Sequence, residues 1–136
     1  MRRLLVALII PLIMLVACGN GEEALGELIF CKGYERGTLE PIGVSSQFYV
    51  GELFHFKLSV EEPFGVDRMT LTIYRIRDDN VEIAVFTYDY RLRPEGDVFL
   101  LRRPRFFIDP GYYRFELVDV DGRLLAENTV EILDEE

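Results

Sequence analysis

Between Gly51 and Pro63 the sequence alternates with a period of two. Phe54, Phe56, Leu58 and Val60 are apolar, while His55, Lys57 and Ser59 are polar. An extended strand sends successive side chains to opposite faces, whereas a helix would scatter these four apolar residues around its circumference. The run can therefore bury one clean face only as a strand. The same period returns in Met69, Leu71 and Ile73 against Thr70, Thr72 and Tyr74. It returns again in Tyr113, Phe115 and Leu117 against Tyr112, Arg114 and Glu116. No later stretch carries the apolar stripe of an amphipathic helix, and no segment repeats. The chain is predicted to be all-β.

Turn residues divide these runs. Leu28 to Lys32 is a first apolar run, followed by a loop containing Gly33, Gly37, Pro41 and Gly43. Pro63-Phe64-Gly65 ends the next strand, and Asp78-Asp79-Asn80 closes a hairpin into the segment from Val81. That segment changes parity: Val81, Ile83 and Val85 lead, then Phe86, Tyr88, Tyr90 and Leu92 take over the apolar side. A bulge or a switch of sheet near Val85 accounts for the change. Pro94-Glu95-Gly96-Asp97 is a further turn, before strands over Val98 to Leu101 and Phe106 to Ile108. Asp119-Val120-Asp121-Gly122 makes a tight hairpin into Arg123 to Leu133, with Val130 and Ile132 facing inward. Seven or eight short strands joined in this way predict a β-sandwich.

One run narrows the class. Asp109-Pro110-Gly111-Tyr112-Tyr113-Arg114-Phe115 resembles the Asp-x-Gly-x-Tyr-x-Cys run of immunoglobulin-like domains, with Phe115 in the cysteine's place. The resemblance implies an immunoglobulin-like β-sandwich with a corner at Tyr113, whose hydroxyl bonds back to upstream backbone. It departs from the family in having no tryptophan and no cysteine pair to join the sheets.

The N-terminus is of another kind. Arg2 and Arg3 precede an apolar run from Leu4 to Val16, too short for an ordinary spanning helix but fitted to the apolar core of a secretory signal. It ends in Leu15-Val16-Ala17-Cys18, which resembles the lipobox of bacterial lipoproteins. The resemblance implies cleavage before Cys18 and lipidation of that residue. Several acyl chains on one cysteine would hold the protein on a membrane, since each buried CH₂ contributes about 0.8 kcal/mol. Gly19 stands where an inner-membrane retention aspartate would be, so the resemblance favours the outer membrane, or the outer face of the plasma membrane in an organism with one membrane. The expected organisation is a cleaved helical signal segment over 1–17, a lipidated cysteine and short flexible tether over 18–27, and the immunoglobulin-like domain over 28–136. A tether of that length reaches roughly 17 Å as a coil, which keeps the domain close to the membrane.

The chain has fifteen Lys and Arg against twenty-four Asp and Glu, a net charge of −9. Such a domain repels phosphate backbones, so nucleic acid is not an expected partner. With Cys18 carrying lipid, only Cys31 remains and no intramolecular disulfide is available. Its setting, Leu28-Ile29-Phe30-Cys31, suits a buried small hydrophobe, the other reading being an exposed or intermolecularly paired thiol.

Catalytic and metal-binding patterns are thin. His55 is the only histidine and is expected on the exposed strand face. Ser45 and Ser46 lie outside any G-x-S-x-G elbow. Asp119-x-Asp121-Gly122 resembles the start of a calcium loop, but its glycine comes early and no glutamate closes it in register, so a hairpin is the reading. No metal, no cofactor and no catalytic residue is expected.

Basic residues supply the one anomaly. Arg91, Arg93, Arg102, Arg103 and Arg105 crowd into one stretch of an acidic chain. They serve either as a solvated face balancing nearby carboxylates or as a docking patch for an anionic protein or polymer, which arginine forks suit. A hairpin closed by Pro94 to Asp97 would bring the two groups onto one surface. Tyr74, Tyr88, Tyr90 and Tyr112 form a second group, suited to recognition or, for several of them, to filling the core; Tyr88 and Tyr90 lie beside the arginines in sequence. The expected function is a lipid-anchored, non-catalytic binding module of the bacterial cell envelope. The alternatives are an envelope enzyme acting on cell-wall or surface polymers through carboxylates, and a packing subunit of an envelope assembly that pairs through a sheet edge.

Overall fold

The computed structural model describes residues 23–134. The signal segment and Cys18 lie outside the described residues. Ten strands occur in chain order: β1 (Gly26–Cys31), β2 (Gly33–Tyr34), β3 (Pro41–Ile42), β4 (Gln47–Tyr49), β5 (His55–Val60), β6 (Arg68–Ile76), β7 (Glu82–Arg91), β8 (Val98–Leu100), β9 (Gly111–Asp119) and β10 (Leu124–Leu133). Among the described residues there is no helix. Two sheets pack face to face: one of order β1-β5-β8, the other β4-β10-β9-β6-β7. β4 runs parallel to β10, and every other pairing is antiparallel. The two-residue strands β2 and β3 form a small hairpin inside the loop expected over 33–43. Gly26 and Glu27, assigned from sequence to the tether, already pair with Val60 and Ser59 in β1.

The alternation seen in the sequence is the alternation of burial. Phe54, Phe56 and Leu58 from one sheet face Met69, Leu71, Ile73, Phe115, Leu117, Val130 and Ile132 from the other, all within the core. Phe115 sits where the two sheets meet. Its ring packs edge-on against Phe30 at 5.0 Å and against Phe56 at 6.2 Å. This aromatic cluster joins the sheets where antibody-type domains use a disulfide, each such pair adding about 0.5–1.5 kcal/mol beyond its buried area. Cys31 is fully buried and unpaired, and burial pushes its thiol pKa up, as expected of a core residue.

The corner at Tyr113 is formed. The Tyr113 hydroxyl donates to the Asp109 carbonyl at 2.9 Å and accepts from Arg75 Nη1 at 3.1 Å. The parity change in β7 is a bulge: Ile73 pairs with Phe86 and Tyr74 with Ala84, leaving Val85 as the extra residue. The Asp119–Gly122 hairpin is also present, with Gly122 at φ 87°. Asp119 is engaged in it rather than open to a cation, since its carboxylate accepts from Asp121 N, Arg123 N and Arg123 Nε.

Three expectations are corrected. β7 and β8 do not form a hairpin, because they belong to different sheets. The connection between them is held instead by the 60–65 turn, through Val60 N to Asp97 O, Phe64 N to Gly96 O and Gly65 N to Pro94 O. Phe106–Ile108 is not a strand: after Arg105 and Phe54 exchange backbone bonds in both directions, the chain leaves the sheet and lies across its open side. His55 is half-buried rather than freely exposed, its Nδ1 donating to the Leu101 carbonyl at 2.8 Å beside the Tyr34 ring.

Candidate functional site

The sandwich is open along one side, between edge strands β7 and β8. Here the structure gathers the residues singled out from sequence. Arg91 and Arg93 at the end of β7, and Arg102, Arg103 and Arg105 after β8, line one open groove of about 880 Å³. Tyr88 and Tyr90 line it too. The two halves meet by a route other than a hairpin: the sandwich places the free edges of its two sheets side by side. Tyr74 and Tyr112 do not join them. Tyr74 lies under Arg114 on the outer face of the five-stranded sheet, with 4.5 Å from the guanidinium to its ring centre, and Tyr112 is exposed elsewhere.

The five arginines divide by their contacts. Arg105 is built in. Its guanidinium lies 3.7 Å from the centre of the Tyr88 ring, and its Nη2 donates to the Tyr90 hydroxyl at 2.9 Å. Its Nε is buried with no hydrogen-bond partner among the described residues. A guanidinium over an aromatic face gains about 0.5–2 kcal/mol. Arg91, Arg93, Arg102 and Arg103 are exposed, and none of them forms an ion pair or side-chain hydrogen bond among the described residues.

Three carboxylates cluster on the outer face of the five-stranded sheet. Glu82, Glu116 and Glu127 converge on Arg114 at 2.8, 3.4 and 2.8 Å. Hydrogen bonding to Arg114 holds the Glu82 carboxyl below its usual range and raises the guanidinium pKa, so both stay charged. A polymer-cleaving pair needs one carboxyl held protonated near neutrality. This cluster is arranged the opposite way.

A second recess lies beyond Arg105 and was not legible in the sequence. It is an apolar cleft of about 490 Å³ between the first half of β7 and the 104–110 segment. Val85, Phe86, Phe106 and Ile108 line it while remaining 40, 45, 55 and 73% exposed. Tyr88 and Arg105 line both recesses, so their stack is the wall between them. Arg75 closes the far end of the cleft, donating to the Pro110 carbonyl at 2.7 Å. No signal in sequence joins Arg75 to this site, since its partners lie far along the chain.

Comparison with known proteins agrees on architecture. The chain is similar to the crystal structure of an immunoglobulin-like protein from Pseudomonas aeruginosa, with a TM-score of 0.52 and 17% identity over 78% of this chain and 91% of that one. Together with the strand order and the tyrosine corner, this defines an immunoglobulin-like β-sandwich protein. No protein-family model matches the sequence, and no curated protein does.

Proposed function

We propose that the protein is a lipid-anchored, non-catalytic binding module of the bacterial cell envelope that captures an anionic partner in the groove between β7 and β8. The observation that carries this reading is the set Arg91, Arg93, Arg102 and Arg103, gathered in one groove of an acidic domain with no ion-pair partner among the described residues. Opposite charge in the partner would steer it to this groove while the rest of the domain repels it, so capture weakens steeply with salt. The anchor rests on Leu15-Val16-Ala17-Cys18, and Gly19 favours the outer membrane where there are two.

Cross-linking in native membranes tests the capture. Replacing Arg91, Arg93, Arg102 and Arg103 together by Glu removes the cross-linked partner and leaves the thermal midpoint nearly unchanged. A lowered midpoint with capture intact would mean that these arginines serve the fold. For the anchor, Cys18→Ser abolishes lipid labelling and leaves the precursor uncleaved. Normal processing of the variant, with no lipid on the wild type, would contradict the anchor.

A further inference from the structure

We infer that the groove takes an extended acidic peptide segment as an added strand on the free edge of β7, with apolar side chains of that segment seated in the cleft beside Phe86 and Ile108. This deepens the proposed capture of an anionic partner and rests on it.

The backbone supplies the first ground. In an antiparallel pair, directly opposed residues alternate between exchanging both backbone bonds and exchanging none. Leu92 N donates to Asp67 O, and the register continues from there, so Tyr90, Tyr88 and Phe86 bond to β6. The intervening residues Thr87, Asp89 and Arg91 then turn their N–H and C=O groups away from β6. The other side of β6 agrees, because Val120 N donates to Arg68 O, the residue opposite Arg91. Among the described residues β7 has no partner beyond β6, and no backbone bond reaches its outer side at these positions. β7 spans ten residues and β8 three, so β7 is the edge long enough to template a strand.

The side chains supply the second. A strand laid on β7 alternates its side chains between two faces. One set lies on the side of Phe86 and Tyr88, over the apolar cleft. The other lies on the side of Arg91, with Arg93, Arg102 and Arg103 around the same groove. Asp89, the one carboxylate on this half of β7, is drawn toward β6 by a hydrogen bond from Thr70 Oγ1 at 2.9 Å. Both recesses border β7, so a strand laid along that edge passes from one to the other beside the Arg105–Tyr88 stack. Charge complementarity therefore selects an acidic occupant, and the cleft selects one whose alternate residues are apolar.

Fluorescence anisotropy with the full-length protein in detergent tests the mode. The probe is a labelled peptide of about ten residues alternating Glu and Val, beside a Glu-Gly peptide of equal charge and a Glu-Val peptide N-methylated at alternate amides. The Glu-Val peptide should bind about tenfold tighter than either control. Thr87→Pro, which removes an outward N–H without touching the β6 ladder, should erase that advantage at an unchanged thermal midpoint. Should the variant fail to fold, the N-methylated peptide on the wild type decides the same point. Equal binding of all three peptides, lost on arginine reversal, would overturn strand addition and leave the anionic groove standing. Binding of none, together with cross-linked capture that ignores arginine reversal, would overturn both. A dimer of the unliganded protein that Thr87→Pro dissolves would assign the edge to a second copy and overturn the peptide.

Discussion

Arg114 and the groove arginines are the same residue type in one small domain, yet their surroundings are opposite: Arg114 is on the central strand β9, and the others lie at or beyond the ends of the edge strands β7 and β8. Arg114 lies on the outer face of β9, only 20% of its side chain exposed, stacked on Tyr74 and held by Glu82, Glu116 and Glu127. Each of its strong contacts is internal, and it ties β7, β9 and β10 together across the sheet. Arg91, Arg93, Arg102 and Arg103 lie at the open side of the sandwich, and among the described residues none of them forms an ion pair. Both sets sit in the same acidic chain, so composition does not separate them. Position does: a central strand has neighbours on both sides to supply carboxylates, whereas an edge has one neighbour and solvent. An arginine with internal partners holds structure, and one without them is available to something else.

Substitutions can break or sharpen that contrast. The aromatic core sets the scale: Phe115→Ala opens a cavity between the sheets and should cost about 3–5 kcal/mol in denaturant unfolding. Arg114→Ala should cost less, about 2 kcal/mol, because it strips charged hydrogen bonds from three partly exposed carboxylates. A neutral result there would erase the distinction between the two sets. Tyr113→Phe should cost about 1 kcal/mol, the contribution of one hydroxyl bonded to the Asp109 carbonyl and Arg75.

A smaller effect appears in acid. The Glu82 carboxyl titrates below its ordinary value of 4.5 because Arg114 hydrogen-bonds it. Its contribution is thus complete above that value and is lost as pH falls through the lower folded one. Unfolding followed from neutral pH into acid should show a shallower loss in Arg114→Ala than in the wild type. Identical slopes would mean that the pair contributes nothing.

Much of the fold was legible in period and parity. Phe54 to Val60 and Met69 to Ile73 declare their buried faces because a strand alternates strictly, and the slip at Val85 shows as a change of parity because a bulge adds one residue. The corner at Tyr113 was legible from a local motif. The groove was legible in content but not in construction. Nothing near Pro94–Asp97 reveals that the chain there crosses between sheets, since the bonds that fix it come from Val60, Phe64 and Gly65. Phe106 to Ile108 has the apolar content of a strand, yet past the Arg105–Phe54 bridge its pairing continues only as Gly51 N donating to Phe107 O, and the segment becomes the lip of a cleft. Arg105 illustrates the same limit. Its neighbours in sequence make it one of a basic cluster, while Tyr88 and Tyr90 beneath it make it a fixed wall.

The central claim is that the four groove arginines hold no part of the fold. Its most direct test is equilibrium unfolding of the variant carrying Arg91→Gln, Arg93→Gln, Arg102→Gln and Arg103→Gln together, measured beside Arg114→Ala under the same conditions. The expected result is a total stability within about 0.5 kcal/mol of the wild type. A loss as large as that of Arg114→Ala would contradict the claim and return these residues to the framework of the sandwich.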